Sequence, residues 1–278
     1  MLFLLLAILS SSLISILMRI SSNRISANLS MLAINYLVCA LLGFGYTGFL
    51  PATPASPGFS TMIVLGVLSG ALYLGGFMLF QHNTRKNGIV LTSIFMKLGL
   101  LVPVVISMVL FREVPTPIQI AGFCIAVFAI VLINLKKDSS GSGFGMGLIL
   151  MLLTCGGCDA MSKIYERMGP AALSDSYLFC TFAVACALCA CLVLYKKEKP
   201  GLQEILFGSL IGIPNFFSAK FLLGALTKLP AVVVYPSFSV ATLLIVTLAG
   251  VAVFRERLSK LQWIALAAII AALIFLNI

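Results

Sequence analysis

The sequence predicts an all-α, polytopic membrane protein of ten transmembrane helices arranged as two inverted five-helix repeats. Three observations predict it. First, 61% of the 278 residues are apolar and 9% are charged, against roughly 45–50% and about 25% in a soluble domain, so water is not the main solvent. Second, Phe111-Arg112-Glu113 recurs as Phe254-Arg255-Glu256, 143 residues later. The likeness runs past this turn: residues 110–135 laid on 253–278 also share Gln119 with Gln262, Ala129 with Ala272 and Asn134 with Asn277. A spacing of about half the chain is the mark of one unit present twice. Third, basic residues gather in alternate connections, and the alternation changes phase between the two halves.

Each span needs about 20 apolar residues to cross the hydrocarbon core, and the runs here are continuously apolar rather than alternating, which speaks against a β-barrel. The first span, 2–20, opens MLFLLLAILSSS without a basic leader and runs on to full length, so it reads as a helix and not a cleavable signal. The second, 31–49, carries Asn35 and Tyr36; the third, 61–81, has a small face at Gly66, Gly70, Gly75 and Gly76 and ends at Gln81-His82. Small faces favour close helix approach. The fourth, 88–111, holds Lys97 and Pro103; the fifth, 117–135, follows the first FRE turn. Residues 138–143, within the polar run Lys136–Gly143, form a linker. The second repeat, 144–278, supplies spans 144–166, 175–195, 203–225, 230–253 and 259–277, and its eighth span repeats the small face at Gly208 and Gly212. A soluble domain is not expected, because the longest polar connection is about ten residues.

The net charge of +10 would suggest a nucleic-acid partner, but the basic residues sit in short loops between spans, where they set topology. The loops after odd spans hold twelve of them: Arg19, Arg24, Arg85, Lys86, Lys136, Lys137, Lys196, Lys197, Lys199, Arg255, Arg257 and Lys260. The loops after even spans hold three: Arg112, Arg167 and Lys228. The positive-inside rule puts the odd loops in the cytoplasm and both termini outside, in a plasma (inner) membrane. The two halves carry opposite charge bias, and an odd number of spans per unit inserts the second copy upside down. That is a pseudo-two-fold in the membrane plane, the arrangement of alternating-access carriers.

Lys97, Lys220 and Asp159 are ionisable residues at membrane depth, where a charge costs about 2.5–3.5 kcal/mol on insertion scales and so faces a cavity or a partner. Lys97 and Lys220 offer ammonium groups to an anionic solute; snorkelling, or pairing with Asp159, is the bland reading. Asp159 has Lys163 four residues later on the same helical face, which suggests a local ion pair. If Asp159 is so neutralised, an anion fits; if Asp159 and a lysine both line the site, a zwitterion such as an amino acid fits. Pro103, Pro214 and Pro236 lie within spans, remove helical hydrogen bonds and are candidate gating points. Cys155-x-x-Cys158 and Cys186-x-x-Cys189 have metal-like spacing, but amid Gly, Ala and Leu they read as small packing residues; neither a metal nor another cofactor is expected. His82 reads as an interface residue. Glu113 and Glu256 read as caps at the start of the helices that follow them.

The ten spans, the FRE turns before the fifth and tenth, and helices closing on Asn134-Leu135 and Asn277-Ile278 resemble the drug/metabolite transporter superfamily, most closely its EamA-type carriers. The resemblance implies a carrier with a central site enclosed by both halves, and it names no solute. It places the third, eighth and ninth spans around that site, which makes Tyr73, Asn215, Tyr235 and Ser237 candidates to line it, with Tyr36 a weaker one. Small relatives carry a Glu on their first helix. This chain has Ser10, Ser11, Ser12 and Ser15 there, and Asp159 on the corresponding helix of the second half, so coupling to a proton or to a counter-solute stays open. The expected function is a secondary transporter of a small polar or anionic metabolite, working by alternating access as a monomer or homodimer in the lipid bilayer. The alternatives are a flippase for a lipid-linked headgroup and a cationic drug or amine exporter. No nucleotide-binding motif supplies ATP drive, and an enzyme is not expected: one histidine rules out HExxH chemistry, and paired aspartates at membrane depth are lacking.

Overall fold

A computed structural model describes the chain apart from residues 22–23, 51, 88, 135–145 and 254–259; the expected linker and the second FRE turn, with Arg255 and Glu256, lie outside the described residues. Eleven α-helices occupy the described residues: α1 (Leu2–Ser21), α2 (Asn28–Tyr46), α3 (Phe59–Asn87), α4 (Ile89–Leu98), α5 (Leu101–Leu110), α6 (Pro117–Asn134), α7 (Met146–Met168), α8 (Ser174–Lys196), α9 (Leu202–Leu226), α10 (Ala231–Ala252) and α11 (Lys260–Leu276). Seven helical stretches are long and apolar enough to cross a membrane. Three shorter apolar stretches, Phe95–Leu110, Pro117–Leu132 and Lys260–Leu276, stand where the fourth, fifth and tenth spans are expected. The protein is thus an all-helical, polytopic membrane protein.

The fourth span is two helices rather than one bent helix. Pro103 has no N–H for the Gly99 carbonyl four residues earlier. That carbonyl instead accepts the Val102 N–H at 2.9 Å, and the Leu100 N–H reaches the Lys97 carbonyl at 3.4 Å, both in tight i→i+3 turns. The helix therefore stops at Leu98 and restarts at Leu101, and Pro103 falls in the first turn of α5, where proline is tolerated. Pro214 and Pro236 behave differently: α9 and α10 run unbroken through them.

The Cα trace divides into two compact units. Unit 1 is Met1–Leu74 with Ile164–Thr227, and unit 2 is Gly75–Lys163 with Lys228–Ile278. Each takes helices from both halves of the sequence, with α3 and α7 each contributing to both.

In unit 1, α1 packs on α9, and α2 packs on both α8 and α9. Met31, Phe207 and Ile211 form a buried cluster covered by Ile14, Leu17 and Ile20. The small faces seat these contacts. A Cβ on Gly208 or Gly212 would collide with the backbone carbonyls of Met31 and Asn35, and one on Gly66 or Gly70 with Cys180 and the Thr181 carbonyl. The Cys39 thiol donates to the Gly212 carbonyl at 3.2 Å and that of Cys189 to Leu29 at 3.5 Å, so these cysteines serve as small helix-to-helix donors. The N-terminus of α2 has no cap of its own. Glu204, on the first turn of α9, accepts the N–H groups of Ser26 and Ala27 instead.

In unit 2, α6 lies along α11, and α10 touches α5, α6 and α11. Phe95, Leu148 and Met151 are buried together. The start of α6 is a capping box: the Thr116 N–H donates to the Gln119 side chain at 3.1 Å, and the Gln119 N–H to the Thr116 hydroxyl at 3.2 Å. The recurrence of Gln119 as Gln262 keeps this spacing, with Ser259 in the place of Thr116.

Glu113 therefore does not cap the helix that follows it. Arg112 takes a left-handed backbone, φ 51°, and Glu113 turns inward. One carboxylate oxygen lies 2.6 Å from the Lys163 ammonium. The other accepts the Ala231 N–H, at the first turn of α10, at 2.9 Å and the Ser107 hydroxyl at 3.1 Å. A buried anion is stable only when such donors surround it. The turn read as a helix cap is an internal clasp joining α5, α7 and α10.

Candidate functional site

Within the clasp, Lys163 pairs with Glu113. Its side chain is 1% exposed and sits against Glu113, not against Asp159 on its own helix. Asp159 instead feels Lys97: the two side chains are half-buried and interact electrostatically, without appearing as a direct ion pair among the described residues. Lys97 is on the last turn of α4, next to the break, and Asp159 is near the middle of α7. The two helices approach closely because Gly99 and Gly156 face each other; a Cβ on Gly156 would overlap the Gly99 carbonyl and the Val102 side chain. Gly156 is three residues before Asp159, on the same helical face. Buried Tyr235, on α10, donates its hydroxyl to the Asp159 carbonyl at 2.6 Å, which ties the backbone under the carboxylate to α10. Unit 2 thus holds a lysine and an aspartate, both at span depth, with Lys97 beside turns whose hydrogen bonds are not those of a regular helix.

Ser237 is in the same unit but is occupied otherwise: it is buried and accepts from the Asn277 amide at 3.4 Å. That bond joins α10 to the C-terminal Asn of the repeated segment, a helix-to-helix role.

The remaining expected residues are in unit 1. Tyr36 and Tyr73 meet edge to face, ring centres 6.2 Å apart, and both lie near Phe182. The Asn215 amide donates to the Asn35 side chain at 3.2 Å. Pro214 is beside it on α9. Lys220 lies 2.5 Å from an Asp175 carboxylate oxygen and 3.7 Å from the centre of the Tyr46 ring. The expected residues therefore fall into two groups: Lys97, Asp159, Tyr235, Ser237, Pro103 and Pro236 in one unit, Lys220, Tyr36, Tyr73, Asn215 and Pro214 in the other.

Sequence reading passed over Asp175, Tyr46, and Glu113 as a buried anion. Asp175 stands at a helix start, where an acidic residue is ordinary. Glu113 carried a usable signal, since it belongs to the motif that recurs.

Comparison with known proteins agrees with this architecture. An uncharacterised protein of Haemophilus influenzae (strain ATCC 51907 / DSM 11121 / KW20 / Rd) is 23% identical over 276 residues, covering 94% of this chain and 92% of that protein. A protein of known crystal structure superposes with a TM-score of 0.72 at 17% identity, over 99% of this chain and 94% of that one, a likeness of fold. Residues 143–278, just under half of the chain, match the EamA-like transporter family. Its apolar helices, together with this likeness, mark the chain as an integral membrane protein whose residues 143–278 are similar to the EamA-like transporter family.

Proposed function

We propose that the protein is a secondary transporter of a small zwitterionic, amino-acid-like metabolite, working by alternating access in the plasma membrane with both termini outside. The observation that carries this reading is that Lys97 and Asp159 are both half-buried in one unit, while Lys163 pairs with Glu113. With Lys163 engaged by Glu113, the Asp159 side chain is the group offered to a solute ammonium, and Lys97 the one offered to a solute carboxylate. A solute with only one charge would satisfy one of the two. Tyr235 holds α10 to the site, and the broken turn at Gly99, Pro103 and the proline positions Pro214 and Pro236 supply freed carbonyls and points of bending.

The reading includes two inverted repeats, 1–137 and 144–278, joined by 138–143. Packing supports it. Gly66 and Gly70 of α3 seat α8, while Gly208 and Gly212 of α9, about 142 residues on, seat α2. In the repeat, α3 corresponds to α9 and α2 to α8, so the two contacts are the same contact exchanged between copies. The pairing of α6 with α11 joins another corresponding pair.

The test is counterflow in proteoliposomes loaded with an amino-acid mixture. Lys97→Ala and Asp159→Asn should each cut uptake at least tenfold, with the protein inserted and monodisperse. Conservative Lys97→Arg should keep part of the activity. Full uptake by both Lys97→Ala and Asp159→Asn refutes the zwitterion site.

A further inference from the structure

A second charged centre lies in unit 1. A pocket of about 310 Å³ is lined by Tyr46, Thr47, Thr53, Ser56, Asp175 and Ser176, among others. Its walls come from the end of α2, the connection to α3 and the start of α8. It is therefore rich in hydroxyls, with one aromatic face and one carboxylate. Lys220 reaches its margin from α9, and its ammonium takes up both charged features at once: Asp175 at 2.5 Å and the Tyr46 ring at 3.7 Å. Neither group is sealed in, since the Lys220 side chain is 24% exposed and that of Asp175 37%.

A carboxylate and an aromatic face converging on one point are the chemistry that selects an ammonium group. Here the ammonium present is the protein's own. Lysine is a point charge on a flexible four-carbon stem, so its head is able to leave without moving the backbone. Asp175 sits in the first turn of α8, where the helix dipole suits an acidic side chain. We infer that Asp175 and Tyr46 form a binding site for the primary ammonium of a small solute, and that Lys220 is a tethered competitor which fills the site when the solute is absent. The ligand class is a small primary amine or amino acid whose carbon body lies in the pocket among the hydroxyls. Removing the competitor raises affinity: a site that its own lysine fills nine-tenths of the time binds about tenfold more weakly than its intrinsic value.

The experiment uses the full chain in detergent micelles, with n-butylammonium chloride as the probe and n-butanol as its uncharged match, read by calorimetry. Lys220→Met should bind n-butylammonium about tenfold more tightly than the unmodified protein, and n-butanol no more tightly. The double variant Lys220→Met/Asp175→Asn should lose the gain, and Lys220→Met/Tyr46→Leu should lose part of it. Lys220→Gln, which keeps a polar head, is read in the same way if the methionine variant does not fold. Equal affinity in the Lys220 variants and the unmodified protein overturns the inference. So does a gain that survives Asp175→Asn, or one shared by n-butanol. Lys97 and Asp159 stay intact throughout, so failure here leaves the transport reading untouched, and failure of that reading leaves this one to be measured.

Discussion

Replacing Glu113 with glutamine removes one charge from the clasp while keeping an oxygen that can accept the Ala231 N–H. The carboxylate and the Lys163 ammonium are 2.6 Å apart, with side chains 8% and 1% exposed. At an effective dielectric near 20 the bare attraction at that distance is roughly 6 kcal/mol. Desolvation offsets much of it, and breaking one partner of a buried pair typically costs about 3–5 kcal/mol. Glu113→Gln and Lys163→Met should each therefore destabilise the fold by about 3–5 kcal/mol. Glu113→Ala should cost about 1–2 kcal/mol more than Glu113→Gln, because the bonds from Ala231 and Ser107 are lost as well. The double variant Glu113→Gln/Lys163→Met should be far less damaged than the two single losses added together, because neither charge is then left facing an apolar site. The assay is reversible unfolding of the full chain in mixed micelles followed by circular dichroism, analysed as a double-mutant cycle. A Glu113→Gln protein within about 0.5 kcal/mol of the parent, or a cycle that adds up without coupling, would refute the clasp.

Two further outcomes follow from the same packing. Gly156→Ala puts a methyl onto the Gly99 carbonyl and Val102, which cannot swing aside as a flexible side chain would, whereas Gly75→Ala meets only the Thr154 methyl at 3.5 Å; the first should lose about 1–3 kcal/mol to overpacking and the second gain up to about 1 kcal/mol in helix propensity, in the same unfolding assay. Tyr235→Phe removes the hydroxyl bonded to the Asp159 carbonyl at 2.6 Å and should cost about 1 kcal/mol, with equal stability of the two proteins counting against that bond.

The sequence by itself determined the solvent, the helical class and the repeated turn, because each depends on composition or on spacing along one helix. An apolar run of about 20 residues needs no partner to be read as a span, and the glycines at 66, 70, 208 and 212 mark a small face by their four-residue spacing alone. Proline chemistry announced an interruption near Pro103, though not that the chain would break before it and leave Lys97 on the last turn of α4. The tertiary structure decided the charges. Lys163 has Asp159 four residues away, yet its partner is Glu113. Glu113 stands three residues ahead of the capping box of α6, yet it serves the N-terminus of α10, 118 residues on. Lys220 finds Asp175 across 45 residues. Helical periodicity fixes which side chains share a face, but a charge in a low-dielectric interior goes to whichever opposite group packing brings within a few ångströms, and a linear sequence states only that such a partner is needed.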